Sequence, residues 1–124
     1  MAEKCACESG GSTLIFACSG GSDTPELGDK AARKLRDEKL GKMYCLSGIG
    51  GNVELIIDNT RAASRRLVID GCDTGCAKAT MERAGFDDFL YMKVTDLGFE
   101  KGGAQVTEEN IEKVAAKARE LLGA

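Results

Sequence analysis

Four short apolar segments alternate with four helical patterns along this chain, and the alternation constrains the fold more than any other feature. The predicted strands cover residues 13–17, 42–46, 67–70 and 89–94. A helix-capping residue or an apolar repeat with helical spacing follows each segment. Strands that alternate with helices form a parallel sheet covered by helices on both faces. We therefore expect a single α/β domain with three layers, α/β/α.

The order of the strands is restricted because connections between parallel strands are right-handed. We expect a Rossmann-like or flavodoxin-like sheet in the order 2-1-3-4, with strand 1 between strands 2 and 3. The length of 124 residues suits one domain. Residues 1–12 lack apolar periodicity and predict a flexible N-terminal arm that contains Cys5 and Cys7. Residues 13–124 are then the folded domain.

The ends of the helices are predicted from capping residues and from the last residues of each apolar repeat. Asp23 or Thr24 can cap the first helix, and Arg65 and Arg66 lie near the predicted end of the second. The third helix is expected over residues 74–84. The fourth is the clearest amphipathic helix, with a cap and an apolar stripe formed by Thr107, Ile111, Val114, Ala115, Ala118, Leu121 and Leu122.

The composition argues against several classes of function. The net charge of −3 and the pI of about 5.1 argue against a nucleic-acid partner. No apolar run approaches the roughly 20 residues that span a bilayer, so no membrane partner is expected. The polar start of the chain is unlike a signal peptide, which predicts a cytoplasmic protein. Because the chain contains no histidine, histidine-based acid–base catalysis and histidine metal ligands are excluded.

The cysteines are the strongest functional signal, since six of them in a reducing cytoplasm favour metal binding or catalysis over disulfides. Cys18 ends strand 1, Cys45 lies near the end of strand 2, Cys72 follows strand 3, and Cys76 begins helix 3. The carboxyl ends of parallel strands share one edge of the sheet, where such folds bind ligands. Neighbouring strands are only about 4.8 Å apart. We therefore expect these four thiols to converge.

Four converging thiols predict one Zn²⁺, which takes four ligands in a tetrahedron. Cys18, Cys45, Cys72 and Cys76 supply that number. An iron–sulfur cluster is an alternative with the same ligands. A second alternative is a thiol-dependent enzyme, for redox chemistry or group transfer, with Cys72 or Cys76 as the nucleophile. The start of a helix favours the thiolate form at these two residues.

Other residues near the thiols leave their roles open. Each cysteine can also be a small buried apolar residue, which is the ordinary role of a cysteine in a strand. Cys5 and Cys7 are either exposed thiols or donors that reach the same site. Asp70 and Asp73 flank Cys72 and can accept hydrogen bonds near the metal or supply an oxygen ligand. Asp73 can instead cap the third helix.

Several motifs together make the chain similar to the DGC-domain family, which is named for its Asp-Gly-Cys sequence. The resemblance runs from about residue 14 to residue 102. The residues that carry it are Ala17-Cys18-Ser19-Gly20, Gly41 through Gly51 with Cys45, Ile69-Asp70-Gly71-Cys72, Cys76-Ala77-Lys78 and Val94-Thr95-Asp96-Leu97-Gly98.

The resemblance implies a candidate zinc-binding protein of the bacterial and archaeal type. It also implies that the chelating residues are Cys18, Cys45, Cys72 and Cys76. Members of the family often have proline after the DGC cysteine, where this chain has Asp73. That difference alters the local turn and places a carboxylate beside the site. The resemblance implies no particular biochemical activity, so a role in metal storage, sensing or delivery stays open.

Overall fold

The computed structural model describes residues 12–18 and 20–124, and its sheet has the predicted order. Four parallel strands lie in the order β2-β1-β3-β4. They are β1 (Thr13–Ala17), β2 (Lys42–Met43), β3 (Arg65–Asp70) and β4 (Leu90–Lys93). The predicted α/β class and the order 2-1-3-4 are therefore confirmed.

Five helices connect and follow these strands in the described part of the chain. They are α1 (Asp23–Asp37), α2 (Leu46–Gly50), α3 (Glu54–Ala62), α4 (Cys76–Arg83) and α5 (Glu108–Leu122), and a short 3-10 helix covers Val94–Leu97. Within the described residues, no helix is both long enough and apolar enough to span a membrane.

The helices form two layers because side chains alternate between the two faces of each strand. Ile15, Leu67 and Ile69 face a core shared with α1 and α5. Phe16 and Val68 face the opposite core, to which α2, α3 and α4 contribute. All five of these side chains are fully buried. The predicted three-layer arrangement follows directly from this alternation.

The register of the sheet brings the carboxyl ends of three strands to one edge. Ile15 of β1 pairs with Met43 of β2, and Ala17 at the end of β1 pairs with Ile69 of β3. The backbone N–H of Tyr44 still donates to the carbonyl of Ile15 after β2 has ended. The residues that follow β1, β2 and β3 therefore leave the sheet side by side, and three of the predicted site cysteines are among them.

The structure corrects the predicted ends of the second helix and the third strand. Arg65 and Arg66 belong to β3 rather than to the end of the helix, because the extended backbone of Ala63 already terminates α3. The Arg66 guanidinium donates to the carbonyls of Thr60 and Ala63 at 2.8 and 3.2 Å. Arg66 thus caps the end of α3 from the neighbouring strand.

The second strand is also shorter than the predicted 42–46. It ends at Met43, and a short helix that the sequence did not predict begins three residues later. Gly48 lets this helix, α2, approach α3 closely, since a Cβ there would lie 2.7 Å from Cγ1 of Ile56. Gly48 is therefore needed for the close packing of these two helices.

The predicted arm lies largely outside the described residues. Cys5 and Cys7 are among residues 1–11, so their exposure and their reach to the site stay predictions. Ser12, the last residue of the predicted arm, is buried and forms backbone and side-chain hydrogen bonds with Ser64. Ser12 therefore joins β1 to the start of β3.

We predict that Gly71→Ala strongly destabilises the fold. A Cβ at Gly71 would overlap the backbone of Pro25 in α1, which cannot rotate away. We expect the free energy of unfolding to fall by more than about 2 kcal/mol, the range for an overpacked core. Urea unfolding measures this loss. Gly21→Ala is the matched control, because nothing lies within 4 Å of a Cβ there, and equal stability of the two variants would contradict the close packing of Gly71.

Candidate functional site

Asp70 organises the turn that carries two of the cysteines. It is the last residue of β3 and is 1 % exposed. Its carboxylate accepts the backbone N–H groups of Ala77 and Lys78 at 2.8 and 3.0 Å, and the hydroxyl of Tyr91 at 2.8 Å. Burial and this bond raise the pKa of Tyr91. Because Asp70 satisfies free N–H groups in the first turn of α4, it fixes where Cys76 stands.

Gly71 and Cys18 join the turn to the end of β1. The N–H of Gly71 lies 3.3 Å from Sγ of Cys18, which is buried. Burial raises the pKa of the Cys18 thiol, and the bond from Gly71 partly opposes that effect. The negative charges of Asp70, Cys72 and Cys76 raise it further. The surroundings of Cys18 therefore favour the protonated thiol over the thiolate.

Cys72 has the opposite environment. Its Sγ lies 3.5 Å from the hydroxyl of Thr74 and 3.4 Å from Nζ of Lys101. The Thr74 hydroxyl, the Thr74 N–H and the Lys101 ammonium together lower the pKa of this thiol. Cys72 is consequently the thiol beside a cation, which is the surrounding typical of reactive and metal-binding cysteines.

The surroundings of Cys45 are separate from those of the other three cysteines. It is exposed and directly precedes α2, where Sγ lies 3.3 Å from the hydroxyl of Ser47. That hydroxyl and the N–H of Gly48 lower the pKa of Cys45. The first turn of α2 thus favours the thiolate form of this exposed cysteine.

Three of the four predicted ligands share one cavity. Cys18, Cys72 and Cys76 line a space of about 260 Å³ beside Asp70, and Lys101 also reaches it. Cys45 is outside the lining of this cavity. The structure therefore brings together the thiols from β1 and from the β3–α4 turn and leaves the thiol after β2 to the side.

The chemistry of the donors fits a thiophilic metal, but their side chains are not in a ligating arrangement. Within residues 12–18 and 20–124, no three cysteine or acidic side chains stand close enough to hold a metal ion. Cys45 and Cys76 are exposed, so each thiol is free to rotate about its Cα–Cβ bond. Coordination by all four sulfurs thus requires such rotations.

The structure also assigns roles to residues that the sequence left open or missed. Asp73 forms an ion pair with Lys93 at 3.0 Å, and the helix cap comes from Asp70 instead. Lys101 was missed, because it lies in a glycine-rich loop 29 residues after Cys72. The Asp23 carboxylate accepts N–H groups of Gly102 and Ala104 and so fastens that loop to α1.

Comparison with known proteins identifies the family of the chain. The family model of the DGC domain matches residues 14–118. The chain belongs to the DGC-domain family. The chain is also 29% identical to the anaerobic and virulence modulator AnvM of Pseudomonas aeruginosa over 110 residues. The matched region covers 88% of this chain and 84% of AnvM. No solved structure matches the chain. The Asp-Gly-Cys sequence of the family thus has a physical basis here: a buried helix cap, a close approach to α1 and a thiol beside a cation.

We predict that Asp70→Asn destabilises the domain by about 2–3 kcal/mol, since charge-assisted hydrogen bonds to the carboxylate are lost. The amide NH2 also faces a donor instead of accepting from it. Tyr91→Phe is the milder control, because it removes one of the three bonds to Asp70 and should cost about 1 kcal/mol. Thermal unfolding at neutral pH compares them. Unchanged stability of Asp70→Asn would contradict the role given to this carboxylate.

We predict that iodoacetamide modifies Cys72 at lower pH than Cys18 in metal-free, reduced protein. The neighbours of Cys72 lower its pKa and burial raises that of Cys18, so the thiolate of Cys72 forms first as pH rises. Peptide mass spectrometry after timed quenching measures both profiles. Lys101→Met should move the Cys72 profile to higher pH, whereas Lys113→Met, on the exposed face of α5, should not. Coincident profiles for Cys72 and Cys18 would refute this ordering.

Proposed function

We propose that this DGC domain binds one Zn²⁺ through Cys18, Cys45, Cys72 and Cys76 at the carboxyl edge of the sheet. The observation that supports the proposal most directly is the cavity that Cys18, Cys72 and Cys76 share. Thiolates are the ligands of closed zinc sites, and a chain without histidine offers no nitrogen side chain to replace them. When bound, zinc supplies a redox-inert cation that joins the loops after three strands.

The protein groups around the cavity suit the charge of such a centre. Four thiolates and one Zn²⁺ carry a formal charge of −2. The Gly71 N–H points at Cys18 and the Lys101 ammonium lies beside Cys72, so both partly offset that charge. Metal binding would also replace the proton that burial keeps on Cys18.

Cys45 joins the set through the packing of the helix that follows it. Helix α2 packs against α4, whose first residue is Cys76. The pairing of Tyr44 with Ile15 places Cys45 next to the end of β1, which Cys18 follows. A rotation of the exposed Cys45 side chain is therefore the step that completes the four ligands.

We favour a sensing role for this centre over metal storage or delivery, because of the name of the relative. AnvM is named as an anaerobic and virulence modulator. Thiolates are oxidised when oxygen or peroxide is present, and oxidised cysteines no longer hold zinc. We propose that the occupancy of the site follows the redox state of a reducing cytoplasm.

The second candidate function is thiol chemistry at Cys72 without a metal. The contact of Lys101 Nζ with Cys72 Sγ at 3.4 Å favours it, because a neighbouring cation activates a nucleophilic thiolate. A thiol enzyme would leave Cys45, which is outside the lining of the cavity, without a role. The metal centre explains all four thiols.

Metal analysis of reduced protein, purified without chelator, tests the proposal. We expect one zinc per chain and colourless protein. Cys72→Ser and Cys76→Ser should each abolish stoichiometric zinc, and Cys45→Ser should weaken zinc affinity by at least about tenfold. Cys5→Ser and Cys7→Ser are the matched controls and should keep full zinc. Brown protein with iron and sulfide would establish a cluster instead, and protein without metal that reacts fastest at Cys72 would favour the thiol enzyme.

A further inference from the structure

A second and larger cavity opens on the other side of Cys72. It has a volume of about 610 Å³, in the range of sites for small molecules. Its walls come from the β3–α4 turn and from the segment between the 3-10 helix and α5. They comprise Cys72, Asp73, Thr74, Thr95, Gly98, Phe99, Glu100 and Lys101. The proposed metal centre uses only Cys72 of these residues as a ligand.

Two of the charges on this cavity are available to a ligand. The Asp73 carboxylate is neutralised by its ion pair with Lys93. Glu100, in contrast, forms no ion pair with any residue of the described part of the chain. Lys101 has no carboxylate partner there, and its ammonium lies 3.4 Å from Sγ of Cys72. The cavity thus presents an unpaired anion and, on the adjacent residue, an ammonium that contacts the Cys72 thiol and has further N–H groups to donate. A ligand that carries both charges is complementary to it, and a simple anion or cation is not.

Two further features of the walls point to a bound molecule. The hydroxyl oxygen of Thr95 is buried and has no hydrogen-bond partner among the described residues. An unpaired buried hydroxyl costs stability, and Thr95 lines this cavity, so a polar ligand atom that reached the hydroxyl would offset that cost. Phe99 is half-buried on the same wall and offers apolar surface. A ligand with a polar end and a short apolar part therefore suits this wall.

We propose that this cavity binds a small zwitterion of the α-amino-acid class. Its carboxylate pairs with the Lys101 ammonium, its ammonium pairs with the Glu100 carboxylate, and its side chain lies along Phe99. The loop that carries both charged residues is held in place by Asp23, whose carboxylate accepts the N–H groups of Gly102 and Ala104. The proposed ion pairs need no metal, although Cys72 and Lys101 also line the cavity of the proposed metal centre.

The experiment is an NMR titration of metal-free, reduced protein with L-methionine as the probe. We expect saturable shifts of the backbone amides of Thr95, Gly98 and Lys101. Methioninamide lacks the carboxylate and N-acetylmethionine lacks the ammonium, so each should bind at least about tenfold more weakly, as for one lost charge-assisted hydrogen bond. Equal binding of the three probes, or no saturable shift with L-methionine, would overturn the proposal.

Variants of the wall separate recognition from folding. Lys101→Met and Glu100→Gln alter an exposed loop, and each should weaken L-methionine binding at least about tenfold with an unchanged melting temperature. Lys113→Met removes the same charge from the exposed face of α5 and should bind normally. Thr95→Val should weaken binding while leaving the melting temperature equal or higher, because it deletes a hydroxyl without a partner. Normal binding by both loop variants would refute the assigned contacts, whatever the metal analysis shows.

Discussion

The site depends on one buried carboxylate. Asp70 ends β3 on the face that carries Val68, and there it accepts two N–H groups of α4 and the hydroxyl of Tyr91 from β4. These bonds tie two strands and a helix to one point at the edge of the sheet. A buried carboxylate is costly unless such partners surround it, so the helix can begin only where they meet. The positions of Cys72 and Cys76 follow from that constraint.

The pKa values of the thiols shift in different directions because their surroundings at the turn differ. Cys18 is buried under the turn, and its pKa is raised, whereas Cys72 stands beside Lys101 and its pKa is lowered. A cation placed among them would stabilise both thiolates and remove the repulsion between them. Each residue of the Asp-Gly-Cys sequence thus has its own role. Asp70 caps α4, Gly71 lets the turn approach α1 because it has no Cβ, and Cys72 presents its thiol at the surface.

Much of the fold follows from the sequence because it rests on local signals. Alternating strands and helices predict the parallel sheet, and Thr107 caps α5 as expected, since its hydroxyl accepts the N–H of Asn110. The ends of α3 and β2 depend on specific contacts, namely the bonds of Arg66 to the end of α3 and the packing of Gly48 against Ile56, which no local pattern indicates.

The site was predictable in part for the same reason. The common edge of Cys18, Cys72 and Cys76 follows from strand order. The position of Cys45 outside their cavity depends on how the short helix α2 packs. Lys101 reaches Cys72 from a loop that no pattern connects with it, and only the tertiary structure reveals that contact.

X-ray absorption at the zinc edge of the loaded protein tests the metal centre most directly, since it reports the ligands themselves. Coordination by four cysteines predicts four sulfur atoms at about 2.3 Å and no nitrogen or oxygen in the first shell. Loss of one sulfur in Cys45→Ser would show that the thiol after β2 rotates into the site. A first shell of oxygen or nitrogen atoms at about 2.0–2.1 Å would contradict the account, because the zinc would then lie away from these thiols.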